Sequence, residues 1–443
     1  MSEAMDSAVL DEVVEELREN WPGLSSEARV SAFAGLAEDA KADFFAELSS
    51  RSQSIVLLGL PESQRRHWFR TLAPDDAADV LQWVELEERD GLLGLLDWNQ
   101  QNEVKALLAY AEDEAGGLMN PRFARLRPEM TIDQAIAYLR RQARTRLETI
   151  YYAYVLDAGQ RPIGVVSFRD LFAMPGDRPI WEVMVQDPIT VEETLDQETV
   201  SQLMAQHDLL ALPVVDGEGR MKGIVTIDDA VDVVQEEATE DFQKVGGMQA
   251  LDMPYLQTGL LEMLKKRAGW LSVLFVGEML TASAMGFFEA EIARAVVLAL
   301  FVPLIISSGG NAGSQAATLI IRAMALGEVR FADAWRIFRR ELLTGVSLGL
   351  ILCVLGILRI TVWQSIFGTY GGAWPQIAAT VGASLIGVVA WGTLAGAILP
   401  IAIDRLGFDP ASASAPFVAT LVDVFGLVIY FSIARLFLSG ILL

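Results

Sequence analysis

Apolar and polar residues follow different spacings in successive parts of the chain. In residues 1–118 apolar residues recur at helical spacing, as in Leu92–Leu96, and prolines such as Pro61 and Pro74 interrupt the pattern. Acidic residues follow Pro74 at Asp75 and Asp76, where a helix dipole favours them. We therefore predict an array of short helices for residues 1–118.

Residues 119–240 have the pattern of strands. Two predicted strands, Tyr151–Leu156 and Pro162–Ser167, flank a turn at Asp157-Ala158-Gly159. The same order returns about 60 residues later at Leu212–Asp216 and Gly223–Thr226. The region is predicted to be an internal α/β repeat.

An acidic segment then leads into a strongly apolar region. Residues 231–266 indicate an acidic helix, a break at Gly246-Gly247 and a second helix, and we assign 241–263 as a linking helix. Residues 264–443 hold five apolar segments, each near the ~20 residues that span a bilayer. These predicted spans are about 268–288, 293–321, 341–360, 376–403 and 415–439.

The charges flanking the spans predict an orientation. Lys265, Lys266 and Arg267 precede the first span, and five arginines lie between the second and third. Residues 1–20 are acidic and lack the apolar core of a signal peptide. Because cytoplasmic loops carry excess Lys and Arg, we expect a cytoplasmic N-terminus, an external C-terminus and location in the inner membrane.

Charge divides the chain in the same way. Residues up to 263 contain 22 Lys/Arg and 49 Asp/Glu, a net charge of −27, whereas the rest contains 12 and 9, a net charge of +3. The acidic part repels nucleic acid and attracts cations. The single cysteine, Cys353, and the two histidines form no metal-ligand motif, and no phosphate-binding loop is present. This counts against a zinc protease and an ATP-driven pump.

Asp423 lies inside the last apolar segment. A carboxylate near the centre of a membrane helix costs roughly 2.5–3.5 kcal/mol on insertion scales, so it usually faces a cavity, a partner or an ion. Glu278 is a second acid inside the first predicted span. It either lines a cavity or hydrogen-bonds between helices.

The second span contains Ser307-Ser-Gly-Gly-Asn-Ala-Gly313. Glycines weaken a helix, and irregular backbone at membrane depth is tolerated beside a cavity. Freed carbonyls and the Asn311 amide oxygen suit a hydrated hard cation. We predict that Gly309, Gly310, Gly313 and Gln315 line a pore with Asn311; the alternative is close helix packing through Gly309-x-x-x-Gly313. Packing is the favoured interpretation of Gly345-x-x-x-Gly349 and Gly392-x-x-x-Gly396.

The acidic residues of the soluble part are candidate cation sensors, although most acids on proteins are simply solvated. Their uncompensated charge should repel in a compact state, and Mg²⁺, which keeps several waters, could relieve it. The candidates are Asp75, Asp76, Asp79, Asp187, Asp228, Asp229, Asp232, Glu236, Glu237, Glu240 and Asp241.

The repeat resembles a tandem pair of CBS domains. Gly164-Val-Val-Ser-Phe-Arg-Asp170 and Gly223-Ile-Val-Thr-Ile-Asp-Asp229 match the adenosine-binding pattern of that family. The resemblance implies that Ser167, Asp170, Thr226 and Asp229 contact a nucleotide. A serine or threonine before a helix is also an ordinary N-cap, and both interpretations stay open.

Taken together, the order of parts resembles the MgtE family of magnesium channels. The motifs that carry the resemblance are Glu237–Asp241, Arg267–Leu271, Gly309–Gln315 and Pro416–Asp423. It implies a homodimer in a lipid bilayer, with Asp423 of both subunits holding a hydrated Mg²⁺. It also implies that cytosolic Mg²⁺ bound to the soluble acids shuts the channel, and that ATP binds the CBS pair of some members.

The predicted fold class is therefore an α-rich multidomain membrane protein with a helical N-terminal domain, an α/β CBS pair, a linking helix and a five-helix transmembrane domain. One alternative function keeps this architecture but transports Mn²⁺, Co²⁺ or Ca²⁺, although the lack of thiol and imidazole ligands disfavours soft ions. The other is a CBS-regulated membrane enzyme or sensor without transport.

Overall fold

The computed structural model describes residues 13–142, 151–251 and 253–440. The chain divides into two compact units, Met1–Glu237 and Ala238–Leu443. Each unit is described by itself below.

The first unit begins with short helices, as the sequence predicts. Residues 13–20 are helical, and seven helices follow: α1 (Ser26–Gly35), α2 (Glu38–Ala46), α3 (Ser50–Gly59), α4 (Glu62–Phe69), α5 (Pro74–Gln82), α6 (Leu86–Leu93) and α7 (Trp98–Leu107). Side-chain caps fix several starts; Ser25 accepts from the backbone of Ala28, and Asp97 forms a capping box with Gln100. Aromatic residues such as Phe33 and Phe69 fill the core.

The α/β repeat is confirmed. Its elements are α8 (Ala115–Leu118), β1 (Ala124–Leu126), α9 (Ile132–Gln142), β2 (Tyr152–Leu156), β3 (Pro162–Ser167), α10 (Phe168–Ala173), β4 (Val185–Gln186), β5 (Val191–Glu192), α11 (Gln197–Gln206), β6 (Ala211–Val215) and β7 (Met221–Thr226). The strand orders are β1-β2-β3-β4 and β5-β6-β7. Hairpins β2/β3 and β6/β7 share a register shift at the same position, Val155/Leu156 and Val214/Val215, as expected of a repeat.

One hydrophobic core joins the short helices to the second repeat. Val56 and Leu81 from the helices belong to the same buried cluster as Leu212 and Val225 from the strands. Burial of apolar surface at about 25 cal/mol per Å² therefore holds α5 against this repeat.

The predicted break at Gly246-Gly247 is present, and it divides the segment 241–263 that was assigned as one linking helix. Helix α12 (Ile227–Val245) continues from the second repeat into the second unit and ends at Gly246-Gly247. Gly247 takes a φ of +75°, the left-handed backbone that favours glycine and ends helices. The next helix, α13, begins only at Leu260.

The second unit contains α13 (Leu260–Phe287), α14 (Glu289–Arg294), α15 (Val296–Ala299), α16 (Val302–Ala325), α17 (Ala334–Phe367), α18 (Trp374–Arg405) and α19 (Ala415–Leu438). Within the described residues, five helical segments are long and apolar enough to cross a membrane, which agrees with the five predicted spans. Helix α18 packs against α16, α17 and α19, whereas α13 packs mainly against α19 and has no buried residue. The predicted fold class is confirmed.

Candidate pore and cation-sensing sites

Asp423 lies two turns inside α19. The helix starts sharply because Ser414 caps it, accepting from the backbone of Phe417, and Pro416 occupies its first turn. The Asp423 side chain is half-buried, and its carboxyl group lies beside that of Glu278 of α13. Both roles predicted for Glu278, lining a cavity and hydrogen bonding between helices, stay predictions.

The predicted break in the second span is wrong. Helix α16 runs without interruption through Ser307–Gly313, so its carbonyls stay within the helix. Tight packing against α18 offsets the weak helix propensity of glycine. A Cβ on Gly392 would lie 2.3 Å from the Gly309 carbonyl oxygen, and one on Gly396 would lie 2.1 Å from that of Gly313.

The glycines of this segment are therefore packing residues in this chain. Gly309 and Gly313 are buried against α18 and α19, and a Cβ on Gly310 would lie 3.7 Å from Ala419. Their predicted place in a pore lining stays a prediction. The packing interpretation also holds for Gly345 and Gly349, whose missing Cβ atoms make room for α18.

Asn311 and Gln315 differ from these glycines. They lie one turn apart on α16, and both are exposed in the single chain. An exposed polar side chain in a spanning helix faces protein or water rather than lipid. These two amides form a polar stripe beside the contact of Gly309 and Gly313 with Gly392 and Gly396, which we call the glycine seam.

In the first unit, acids of α5 approach acids of α12. We call this set the acidic face; its members are Asp76 and Asp79 of α5, Asp228, Asp229, Asp232 and Glu236 of α12, and Glu112. The arrangement follows from the shared core, because Asp76 and Asp79 lie beside the buried Ala77 and Val80 that hold α5 in place. Six of these seven were sequence candidates; Glu112 was not.

The carboxylates of the acidic face are partly buried and repel one another, so their charged forms are disfavoured. Burial, with the charges of Asp76 and Asp229 among others, raises the pKa of Asp79 to about 8. Burial and neighbouring acids raise the pKa of Asp229 to about 7, despite its hydrogen bond from Thr226. The pKa values of Asp76, Asp232 and Glu236 are also raised, mainly by burial. Each charged neighbour acting on Asp79 is an acid.

The remaining predicted sensor acids lie elsewhere. Asp75 is buried and accepts from the Asn120 amide at 3.0 Å. Glu237 accepts from Gln197, Glu240 pairs with Lys244, and the exposed Asp187 follows β4. Asp241 lies in the part of α12 that belongs to the second unit. Neighbouring positions in sequence thus separate into different environments.

Among the residues that the structure describes, no three His, Cys, Asp or Glu side chains converge as direct ligands of a metal ion.

The hydroxyl–acid pairs of the repeats are bonded internally. The Ser167 hydroxyl donates to Asp170 at 2.6 Å, and Thr226 donates to Asp229 at 2.6 Å. Ser167 also accepts from the Asp170 backbone and caps α10. Ser167 is therefore an N-cap, and its predicted contact with a nucleotide stays a prediction.

At the other end of α12, contacts tie the helix to the start of α19. Lys244 donates to Asp409 in the loop before α19, at 2.5 Å. Trp270 of α13 donates to the capping residue Ser414 at 3.1 Å, and Gly247 packs closely on Trp270 and Pro416. We call this group of contacts the α12 latch.

Known protein families match successive parts of the chain. Family models match residues 4–113 (MgtE intracellular N domain), 115–175 and 180–236 (CBS domain) and 302–433 (divalent cation transporter). The magnesium transporter MgtE of Thermus thermophilus is 40% identical, covering 98% of this chain and 96% of that protein. That of Bacillus subtilis is 30% identical, covering 90% and 86%.

A solved structure, the cytosolic domain of the Mg²⁺ channel MgtE in complex with ATP, is 39% identical to this chain. It covers 53% of this chain and 98% of its own, with a TM-score of 0.47. An inosine-5'-monophosphate dehydrogenase from Korarchaeum cryptofilum is 29% identical over only 32% of this chain, the CBS region.

The described residues contain five helices long and apolar enough to cross a membrane, and they follow a CBS pair. With the match to a divalent cation transporter domain, they define a membrane transporter of divalent cations. The chain belongs to the MgtE family of magnesium transporters. This is a family of transporters and channels, not of enzymes.

Proposed function

We propose that the protein is a Mg²⁺-selective channel that imports Mg²⁺ across the inner membrane and is shut by cytosolic Mg²⁺. The observation that carries the proposal is Asp423, a carboxyl held inside a spanning helix of a divalent-cation transporter domain. Mg²⁺ gives up its waters reluctantly. A wide site with few carboxylates therefore suits it.

The pore forms in a homodimer. Two copies of Asp423 face each other across the two-fold axis and hold one hydrated ion, which offsets the cost of burying both charges. The exposed amides Asn311 and Gln315 face water in this assembly, and the glycine seam sets the position of their helix.

Gating follows from the acidic face. At low cytosolic Mg²⁺ its carboxylates repel and α5 separates from α12, whereas bound Mg²⁺ bridges them and stabilises the compact, closed arrangement. Such a ligand shifts the equilibrium only by its differential affinity for the two states. The raised pKa of Asp79 supports this, because the compact arrangement disfavours its ionised form.

The α12 latch connects the sensor to the pore. A shift of α12 reaches the loop before α19 through Lys244 and Asp409, and α19 carries Asp423. In the proposed orientation the N-terminus and the latch are cytoplasmic and the C-terminus is external, in agreement with the arginines between the second and third spans.

The CBS pair is proposed to bind ATP. Ser167 with Asp170 and Thr226 with Asp229 are the groups that would contact the ribose, after exchanging their internal hydrogen bonds. Asp229 belongs to both the nucleotide motif and the acidic face, so the two ligands would influence each other there.

Transport is tested by Mg²⁺ flux into liposomes containing the purified full-length protein. Asp423→Ala is expected to abolish flux, and Asp404→Ala, which removes an exposed acid from the end of α18, is the control with normal flux. Unchanged flux in Asp423→Ala would refute the pore assignment. A wild-type protein that carries no flux would favour a sensor without transport.

The same liposomes test the identity of the ion. Excess Mn²⁺, Co²⁺ or Ca²⁺ should compete weakly with Mg²⁺, because the predicted site holds the ion through its water shell, which Mg²⁺ gives up reluctantly. The lack of soft ligands is a further reason only for Co²⁺. Strong competition by one of them would assign that ion as the substrate.

A further inference from the structure

Positive charge is concentrated where α16 ends and α17 begins. The five arginines of this stretch are all exposed; they are Arg322, Arg330, Arg336, Arg339 and Arg340. The same stretch holds two acids, Glu328 and Asp333, so five positive charges face two negative ones and the net charge is +3. We call residues 322–340 the arginine segment.

Local packing fixes where the arginine segment lies. Ile337, in the first turn of α17, is buried in a cluster with Ile320 of α16 and Ile401 of α18. Arg405, the last residue of α18, places its guanidinium carbon 4.1 Å from the ring centre of Phe331. The arginine segment is therefore held at the ends of three spanning helices, and Arg405 adds a further cation to it.

The chain leaves much of this positive charge open to an anion from outside. Arg336 lies 3.4 Å from Asp333, but its side chain is 86% exposed, and exposed ion pairs are weak. Arg339 belongs to none of the ion pairs among the described residues. In contrast, Arg435 near the end of α19 pairs with Glu291, whose side chain is only 16% exposed.

Apolar residues continue from these arginines along α17. Trp335, Arg339 and Leu343 follow one another at intervals of about one turn, and all three are exposed. Further along the helix, Leu350 and Val354 are exposed as well. Lipid chains cover such a surface on a spanning helix, and the headgroups of the same lipids lie at its polar end, where tryptophan is enriched. The acidic soluble part would match the charge of the arginines, but not the apolar surface beside them.

We propose that the arginine segment is a binding site for an anionic phospholipid. The guanidinium groups of Arg336 and Arg339 donate to its phosphate oxygens, Trp335 lies at the level of its headgroup, and its acyl chains run along Leu343. A guanidinium group matches a phosphate with two parallel hydrogen bonds. A zwitterionic headgroup brings its own cation and is bound less well. This site is separate from Asp423 and does not depend on which ion the protein transports.

The test measures the lipid preference at Trp335. The full-length protein is reconstituted in phosphatidylcholine vesicles that contain a rising fraction of brominated phosphatidylglycerol or of brominated phosphatidylcholine. Bromine quenches the fluorescence of nearby tryptophans, and the signal of Trp335 is the difference between each protein and its Trp335→Phe version. The fractions that quench half of this signal give the preference for the anionic lipid.

The wild type should prefer phosphatidylglycerol, and Arg339→Gln should lower this preference by about fivefold, the effect of one arginine near an anionic surface. Arg339→Lys keeps the charge and should retain most of the preference, which separates charge from a folding defect. Arg294→Gln is the matched control, because it removes an exposed arginine from α14, before the other end of α16. It should leave the preference unchanged.

Three results would overturn the proposal: equal quenching by the two lipids in the wild type, the same loss in Arg294→Gln as in Arg339→Gln, or a preference that inorganic phosphate in the medium abolishes. The last would assign the site to a free anion. Equal quenching, together with faster proteolysis of the soluble part in Arg339→Gln, would instead assign the arginine segment to the acidic soluble part.

Discussion

Asp79 is the residue on which the sensing mechanism depends most directly. Its ordinary pKa of 3.8 is raised to about 8 in the folded protein by burial and by neighbouring acids. The unfolded chain therefore releases this proton near pH 4 and the folded chain near pH 8. Without divalent cations, the folded form loses the corresponding stability as the pH rises between these values.

Asp79→Asn should consequently stabilise the first unit at pH 8 by about 1–3 kcal/mol. This range is smaller than the free energy that the full pKa shift implies, because the side chain is partly exposed. The gain should vanish near pH 4 and shrink when Mg²⁺ is added. Thermal unfolding of the full-length protein, with chelator or Mg²⁺, measures it. Asp90→Asn, at an exposed acid of α6, is the control. A loss of stability at pH 8 in Asp79→Asn would contradict the electrostatic account.

The sequence identifies Asp423 for a simple reason: an acid in an apolar segment is costly wherever the helix packs. The acidic face is different. Asp75 and Asp76 are adjacent in sequence, yet one is bonded to Asn120 and the other approaches Asp228 and Asp232. Which acids meet depends on how α5 packs on the second repeat, and that packing is not encoded in local spacing.

At the scale of helices, the glycine seam between α16 and α18 explains why the second span does not unwind. Local propensity predicts a break at Gly309–Gly313, but close packing on Gly392 and Gly396 outweighs it. The number of spans depends mainly on apolar content, which is why it was predictable, whereas the helices run beyond the predicted segments, as in Ala334–Phe367 against 341–360. The break was not, because it depends on a partner helix distant in sequence.

Gly392→Ala tests the seam. The added Cβ would overlap the Gly309 carbonyl oxygen, so the helices must separate, at a cost of about 1–3 kcal/mol. We expect a lower unfolding temperature in detergent and reduced flux, because Asn311 moves with α16. Gly286→Ala, where the added atom has no neighbour within 4 Å, should behave like the wild type. Equal stability of the two variants would exclude a seam of this tightness.

The α12 latch makes a separate prediction about coupling. If Lys244 and Asp409 hold α12 in the closed arrangement, Lys244→Gln should raise the Mg²⁺ concentration that halves flux by about two- to fivefold, the effect of a partly exposed ion pair. Asp409→Asn should do the same, and the double variant should add little to either change. Additive effects in this double-mutant cycle would show that the two residues act independently.

At the scale of the whole molecule, the uneven distribution of charge matches the proposed functions, sensing of Mg²⁺ by the soluble part and transport by the membrane part. The part before residue 264 carries a net charge of −27, and the part after it +3. The acidic residues of this part repel one another, and a bound divalent cation reduces that repulsion. The membrane part needs little charge, because the proposed pore uses only a few polar side chains, Asp423, Asn311 and Gln315.

The most direct measurement is the open probability of single channels formed by the purified full-length protein, as Mg²⁺ is varied on the side of the soluble unit. The account predicts that open probability falls as this Mg²⁺ rises, and that replacing Asp79, Asp229 and Asp232 together by asparagine weakens the response. An open probability that does not depend on Mg²⁺ on that side would contradict it.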